Sequence, residues 1–377
     1  MELRLAGHAG RSRGHAVIQC GLFSLLMGLI GCDLQPTPPP GLDLSATPAC
    51  HQHGIPAVVL SEQDPARAIA AALQTHELVL LGEHHGDVAE IDFLIEVLGQ
   101  IDRPTILAME LLPQTVTDTA PWSSIVGDKY WPAPLHISEY EGILAAVQAA
   151  RDRGVDLQFA GLAPDCRLPE RPTSTHRAAA IACFKERDAF MVERLHVLRR
   201  GHPTHAVLIS AGWRHVTGVR LRGAAQTLGQ LVPAHWSALR VLLAGTEARA
   251  SGAEATCQGT PRALAAAVGH PVLLDTTNTR WSLDHCLDTP TERPLSDAFD
   301  QVVGLPKGPA PTALDTAFFE TIPATHRAAW TRTRQVLMNQ NTPDSSPAQL
   351  AQWAAEDVSR LTGQLAAESI DCPKPQR

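Results

Sequence analysis

The sequence predicts an α/β fold: a mostly parallel central sheet with flanking helices, followed by a C-terminal helical extension. Three observations point there. Six apolar runs of strand length are continuous rather than alternating, which suits strands covered on both faces. Helical patterns separate them, so strand, helix and strand alternate as in the right-handed crossovers of a parallel sheet. After a Pro- and Gly-rich break, "GLPKGPAPT" at 304–312, helical patterns dominate.

The runs are "ELVLLG" (77–82), "TILAMEL" (105–111), "DLQFAG" (156–161), "AVLISAG" (206–212), "LRVLLAG" (239–245) and "PVLLD" (271–275). Between the first two, "DVAEIDFLIEVL" places Asp87 and Glu90 at capping-box spacing and puts Ile91, Leu94, Ile95 and Leu98 on one helical face. "EYEGILAAVQAARDRG" (139–154) is a second helix ending at Gly154, and "THRAAAIACFKERDAFMVERLHVLRR" (175–200) reads as one long third. In the extension Ser346 caps a helix with Pro347 in its first turn, and Leu350, Trp353, Leu361 and Leu365 recur at helical spacing. These helices either cover the sheet or form an appendage. With only 2 Tyr and 8 Phe in 377 residues, the core must rest on Leu, Val, Ile and Ala. No internal repeat is visible.

Ahead of the fold, Arg4, Arg11 and Arg13 precede "VIQCGLFSLLMGLIG", too short for a comfortable membrane span but suited to a signal-peptide core. It ends in "LIGC", Leu29 to Cys32, which resembles a bacterial lipobox whose cysteine becomes the lipidated first residue. The other reading is an ordinary secretory signal with an incidental cysteine. "DLQPTPPPGLDLSATPA" then reads as a tether. The expected organisation is a signal over 1–31, a lipid-anchored tether over 32–55, an α/β domain over 56–310 and a helical segment over 311–377. The expected location is the bacterial cell envelope, facing the periplasm or exterior.

Without residues 1–31, which hold three Arg and one Glu, 28 basic side chains stand against 38 acidic ones, a formal charge of −10. No basic run survives, which argues against nucleic acid as a partner and leaves the lipid itself as the membrane contact. Cys50, Cys166, Cys183, Cys257, Cys286 and Cys372 form an even set in an oxidising compartment. The expected pairing is Cys166 with Cys183, Cys257 with Cys286, and Cys50 with Cys372. The absence of C-x-x-C argues against a zinc ribbon or a thioredoxin-like site.

Polar groups interrupt the apolar runs at chosen places. "LVLLGEHHGD" sets Glu83, His84 and His85 at the exit of a buried strand, the edge where parallel sheets bind ligands. "TILAMEL" carries Glu110 among apolar neighbours, where an ionised carboxylate is costly without a partner. "AVLISAGWRHV" repeats the G-x-x-H spacing of Gly82 to His85 and ends on His215. On the 175–200 helix Asp188 falls on the stripe of Ile181, Phe184, Met191 and Leu195, and Arg187 beside it could neutralise Asp188 or Glu110. Two chemistries fit. Glu83, His85, Glu110, Arg187, Asp188 and His215 could form a general base with orienting carboxylates, activating water against an ester or amide. Alternatively, Glu83, His85, Glu110 and His215 could hold a divalent metal that lowers the pKa of bound water.

"LLGEHHGD…IDFLIEVL" followed by "ILAMELL" resembles the opening of the ChaN-like haem-binding lipoproteins, in the superfamily that also contains the erythromycin esterases and the Tiki and TraB proteins. "YWPAPLHISEYEGILAAVQAARDRGVDLQFAGL", with Trp131 ahead of a helix begun by Tyr140, is similar to a further ChaN-like stretch. "ERDAFMVERL" and "LISAGWRHV" resemble two more motifs, and the four run in order over about residues 70 to 305. The resemblance implies a parallel-rich sheet, a lipid anchor and a cleft built from Glu83, His85, Glu110, Arg187, Asp188 and His215. It implies haem or iron binding in iron uptake, with metal-dependent or esterase-like hydrolysis as the alternative. A haem would draw its axial ligand from Tyr130, Tyr140 or His84. The first motif is one residue shorter than the esterase form, which moves the chain toward the ChaN side and away from macrolide hydrolysis.

Overall fold

The computed structural model describes residues 64–114, 116, 138–164, 173–219, 226–243, 248–250, 261–276, 281–283, 295–328, 331 and 345–368. Cys32 and its tether, Tyr130, and all of the expected disulfide cysteines except Cys183 lie outside them. Cys183 is disulfide-bonded.

Seven strands form the central sheet: β1 (Leu78–Glu83), β2 (Thr105–Pro113), β3 (Leu157–Ala163), β4 (Ala206–Gly212), β5 (Ala238–Leu243), β7 (Val272–Asp275) and β9 (Gln301–Gly304). Their order is β3-β2-β4-β1-β5-β9-β7. Every neighbour pair is parallel except β7 with β9. The short strands β6 (Ala248–Ala250) and β8 (Trp281–Leu283) pair antiparallel in a second sheet.

Continuous apolar runs became strands because each is covered twice, as β1 shows with all six residues buried. Val79 and Leu81 enter one core, Leu78 and Leu80 the other. The first core is closed by α1 (Pro65–Ala72), α2 (Val88–Gln100) and α3 (Tyr140–Asp152), through Ile69, Leu94, Val97 and Val147. Leu314, Phe319, Ile322, Leu350 and Ala354 join the same core, which brings α9 (Thr316–Glu320) and α10 (Pro347–Glu368) onto it. On the opposite face, α5 (Arg187–Gly201) supplies Met191, Leu195 and Leu198. Trp213 and Val216 of α6 (Trp213–Val216), Leu228 of α7 (Leu228–Leu231) and Ala265 of α8 (Pro261–Val268) complete that core.

Three local features differ from expectation. The long 175–200 helix is two: α4 (Ser174–Lys185) stops, Glu186 takes φ −101° and ψ 8°, and α5 begins at Arg187. No Gly or Pro marks the break; it puts Arg187 and Asp188 in a first turn, where they reach partners on other elements. Strand β9 was not anticipated, because "QVVG" is short and abuts the Pro- and Gly-rich break. Asp87 caps α2, but the capping box is not made. The Asp87 carboxylate accepts from the backbone N–H of Ala89 at 3.0 Å, whereas Glu90 reaches past the cap and accepts from the backbone N–H of His84.

Candidate active site

Glu83, His85, Glu110, Arg187, Asp188 and His215 meet above the C-terminal ends of β1, β2 and β4. Register explains the meeting. Glu83 pairs with Gly212 across β1 and β4, and Met109 lies opposite Ser210 across β2 and β4, so Glu110 comes one residue later. Gly212 ends β4 and α6 starts at once, bringing in His215. Close packing requires glycine at Gly82, where a Cβ would fall 2.9 Å from the Cα of Trp213.

The two carboxylates face opposite sides of the sheet. Glu83 continues the alternation of Val79 and Leu81; Glu110 continues that of Ile106 and Ala108. His85 joins them across the sheet's edge. Its Nδ1 lies 3.0 Å from Oε1 of Glu83, and its Nε2 lies 3.7 Å from Oε2 of Glu110. The other oxygen of Glu83 accepts from the Ser210 hydroxyl at 2.8 Å. Oε2 of Glu110 accepts from the backbone N–H of Gly212, also at 2.8 Å.

Beyond Glu110 the arrangement repeats. Nδ1 of His215 lies 2.7 Å from Oδ1 of Asp188, which also accepts from the backbone N–H of Leu228 at 2.9 Å. Nε2 of His215 lies 3.2 Å from Oε1 of Glu110. The guanidinium of Arg187 closes the group, with Nη1 3.5 Å from Glu110 and Nη2 against Nε2 of His215. Two histidine–carboxylate couples thus share Glu110 between them.

Exposure decides which members a ligand can reach. The side chains of His85 and Arg187 are each 28% exposed, against 1% for Glu110 and 5% for Glu83. Electrostatics follow from the packing. Burial alone would raise the carboxyl of Glu110, but His215, His85, Arg187 and the Gly212 N–H outweigh it and hold its pKa at about 2. Burial pulls His85 down, but the Glu83 hydrogen bond and the charges of Glu110 and Glu83 prevail, and its pKa rises above 6.5.

A second couple lies beside the first. His84 pairs Nδ1 with Oε1 of Glu90 at 2.9 Å, while Arg262 binds Asp87 and approaches Glu90 at 3.9 Å. Desolvation dominates here and raises Glu90 to about 7, with His84 pulling against it. Tyr140, the first residue of α3, is 1% exposed, and burial with Glu83 nearby holds its phenol well above 10.

The four expected metal donors do not fit an ion. Glu83, His85, Glu110 and His215 are adjacent, yet their ring nitrogens and carboxylates face one another, and Arg187 presses against the same atoms of Glu110 and His215 that an ion would need. Among the described residues no three His, Cys, Asp or Glu side chains are grouped to hold a metal. Of the two described axial candidates for haem, His84 is 8% exposed with its Nδ1 beside Glu90, and Tyr140 is 1% exposed. Ser210 and the Glu90–His84 couple escaped the sequence reading. A lone hydroxyl inside "AVLISAG" was the available signal for the first.

No family model and no curated protein matches the chain, so the ChaN-like resemblance rests on the motifs themselves. Two solved structures are similar to it. The erythromycin esterase EreC, a mutant in its open conformation, is 13% identical, covering 66% of this chain and 94% of that one with a TM-score of 0.44. The type III effector HopBA1 is 12% identical, covering 52% and 92% with a TM-score of 0.35.

Proposed function

We propose that the chain is a hydrolase of carboxylic esters in which His85 activates water. The supporting observation is that Nδ1 of His85 is held by Glu83 and Nε2 lies 3.7 Å from Glu110, in a side chain that is 28% exposed at the sheet's edge. With Nδ1–H donated to Glu83, the Nε2 lone pair takes a proton from water as its oxygen attacks the ester carbonyl. Glu83 and Glu110 stabilise the imidazolium that results. Arg187, the other accessible member, faces the developing oxyanion. Collapse breaks the bond to the alkoxide, which recovers the proton from His85, giving acid and alcohol. Asp188 and His215 brace Arg187 and Glu110 from behind. The motif resemblance to a superfamily containing esterases supports this reading.

p-Nitrophenyl acetate tests it with full-length protein. Hydrolysis above background should disappear in His85→Ala, and equal rates in the two proteins would overturn the assignment. The "LIGC" motif supports delivery as an envelope lipoprotein, and labelled palmitate should enter the wild type but not Cys32→Ala.

A further inference from the structure

The site contains a serine, a histidine and an acid, but in an order that a serine hydrolase does not use. In a nucleophilic triad the hydroxyl bonds to the imidazole and the acid lies behind. Here Ser210 donates to Oε2 of Glu83, and His85 takes Oε1. The hydroxyl is therefore at the far end from the reactive nitrogen, and Ser210 is 2% exposed.

Its presence needs a reason. Strand β4 reads "AVLISAG" with every residue buried, and a buried hydroxyl costs free energy unless bonded. Ser210 shares a sheet face with Glu83: Ala206 and Leu208 lie in the first core, Val207, Ile209 and Ala211 in the second. In register it lies opposite Leu81, two residues before the partner of Glu83. From there it reaches the carboxylate of the next strand and nothing catalytic directly.

We propose that Ser210 is a positioning residue, whose hydroxyl pins one oxygen of Glu83 so that the other holds Nδ1 of His85 and fixes the orientation of the ring that activates water. This rests on the water-activating role of His85 given above. A Glu83 carboxylate without that pin rotates about its last torsion and holds the ring less of the time.

The test compares Ser210→Ala and Ser210→Thr in full-length protein by two independent readouts: the pH–rate profile on p-nitrophenyl acetate and the NMR titration of the His85 ring, assigned with His85→Gln. Ser210→Ala should lower kcat by about tenfold, the equivalent of one net hydrogen bond, with KM changed less than about twofold. The ring should titrate closer to 6.5, and Ser210→Thr should restore both. Should the alanine variant prove too unstable to titrate, Ser210→Cys, a weak donor, should shift the ring in the same direction. An unmoved titration in the alanine or cysteine variant overturns the proposal, as does labelling of Ser210 by a fluorophosphonate. If the wild type hydrolyses no ester, the water-activation reading fails, while the ring titration still decides the positioning role.

Discussion

A Cβ on Gly212 would stand 2.9 Å from Nε2 and 3.2 Å from Cε1 of His85. The histidine ring thus occupies the space over the end of β4 that any other residue would fill. This is how one side chain reaches carboxylates on both faces of the sheet. Gly212→Ala should displace the ring, the softer partner, rather than the strand. The expected cost is about 1 kcal/mol of stability and a loss of about 100-fold or more in kcat/KM, since small misplacements of a base are expensive. Denaturant titration and ester hydrolysis on the same sample would measure both.

Glu110 holds the two histidine couples together, so its removal should be worse for the fold than for any single contact. Glu110→Gln leaves Arg187 facing a neutral amide in a buried site, and breaking such a pair costs about 3–5 kcal/mol. The acid limb has a definite sign. The folded pKa of about 2 lies below the ordinary 4.5, so the contribution is complete above 4.5 and is lost as pH falls toward 2. By pH 3 wild type should therefore have lost on the order of 2 kcal/mol more than Glu110→Gln, read from urea midpoints at pH 6 and about 3.

Much of this site was legible because charges interrupt apolar patterns. Glu110 in "TILAMEL" and Asp188 on the stripe of Met191 and Leu195 were conspicuous for that reason, and the structure brings both to His215. The sheet was legible as continuous runs. What tertiary contacts decide was not. "CFKERDAF" contains only residues a helix accepts, so nothing local announced the break at Glu186. Glu90 has the spacing of a cap, and only burial against His84 turns it elsewhere. Donor types alone suggested a metal at Glu83, His85, Glu110 and His215; the position of Arg187 among them is a property of the fold.

The Glu83–His85 bond should show in the pH–rate profile. His85 acts only when deprotonated, and its pKa lies above 6.5 because Glu83 and Glu110 overcome burial. Activity on p-nitrophenyl acetate should rise with pH along a limb centred above 6.5. Glu83→Gln removes the largest favourable contributor, so the limb should move to lower pH while the plateau falls by about 10²-fold, the scale of losing general-base assistance. A limb that stays in place would assign the titration to another group.

The Glu90–His84 couple makes the opposite demand on pH from Glu110. Burial raises the Glu90 carboxyl to about 7 from an ordinary 4.5. Between those values the folded chain holds a proton that the unfolded chain has released, so stability must fall as pH rises through this window. Below 4.5 both states are protonated and the group is neutral to folding; above 7 both are ionised and the full penalty is present. His84 reduces that penalty without cancelling it. Glu90→Gln keeps an oxygen for the His84 N–H and removes the titration. Its urea midpoint should sit near that of the wild type at pH 5 and above it at pH 8, and parallel pH dependences for the two proteins would show that Glu90 is not the group that titrates.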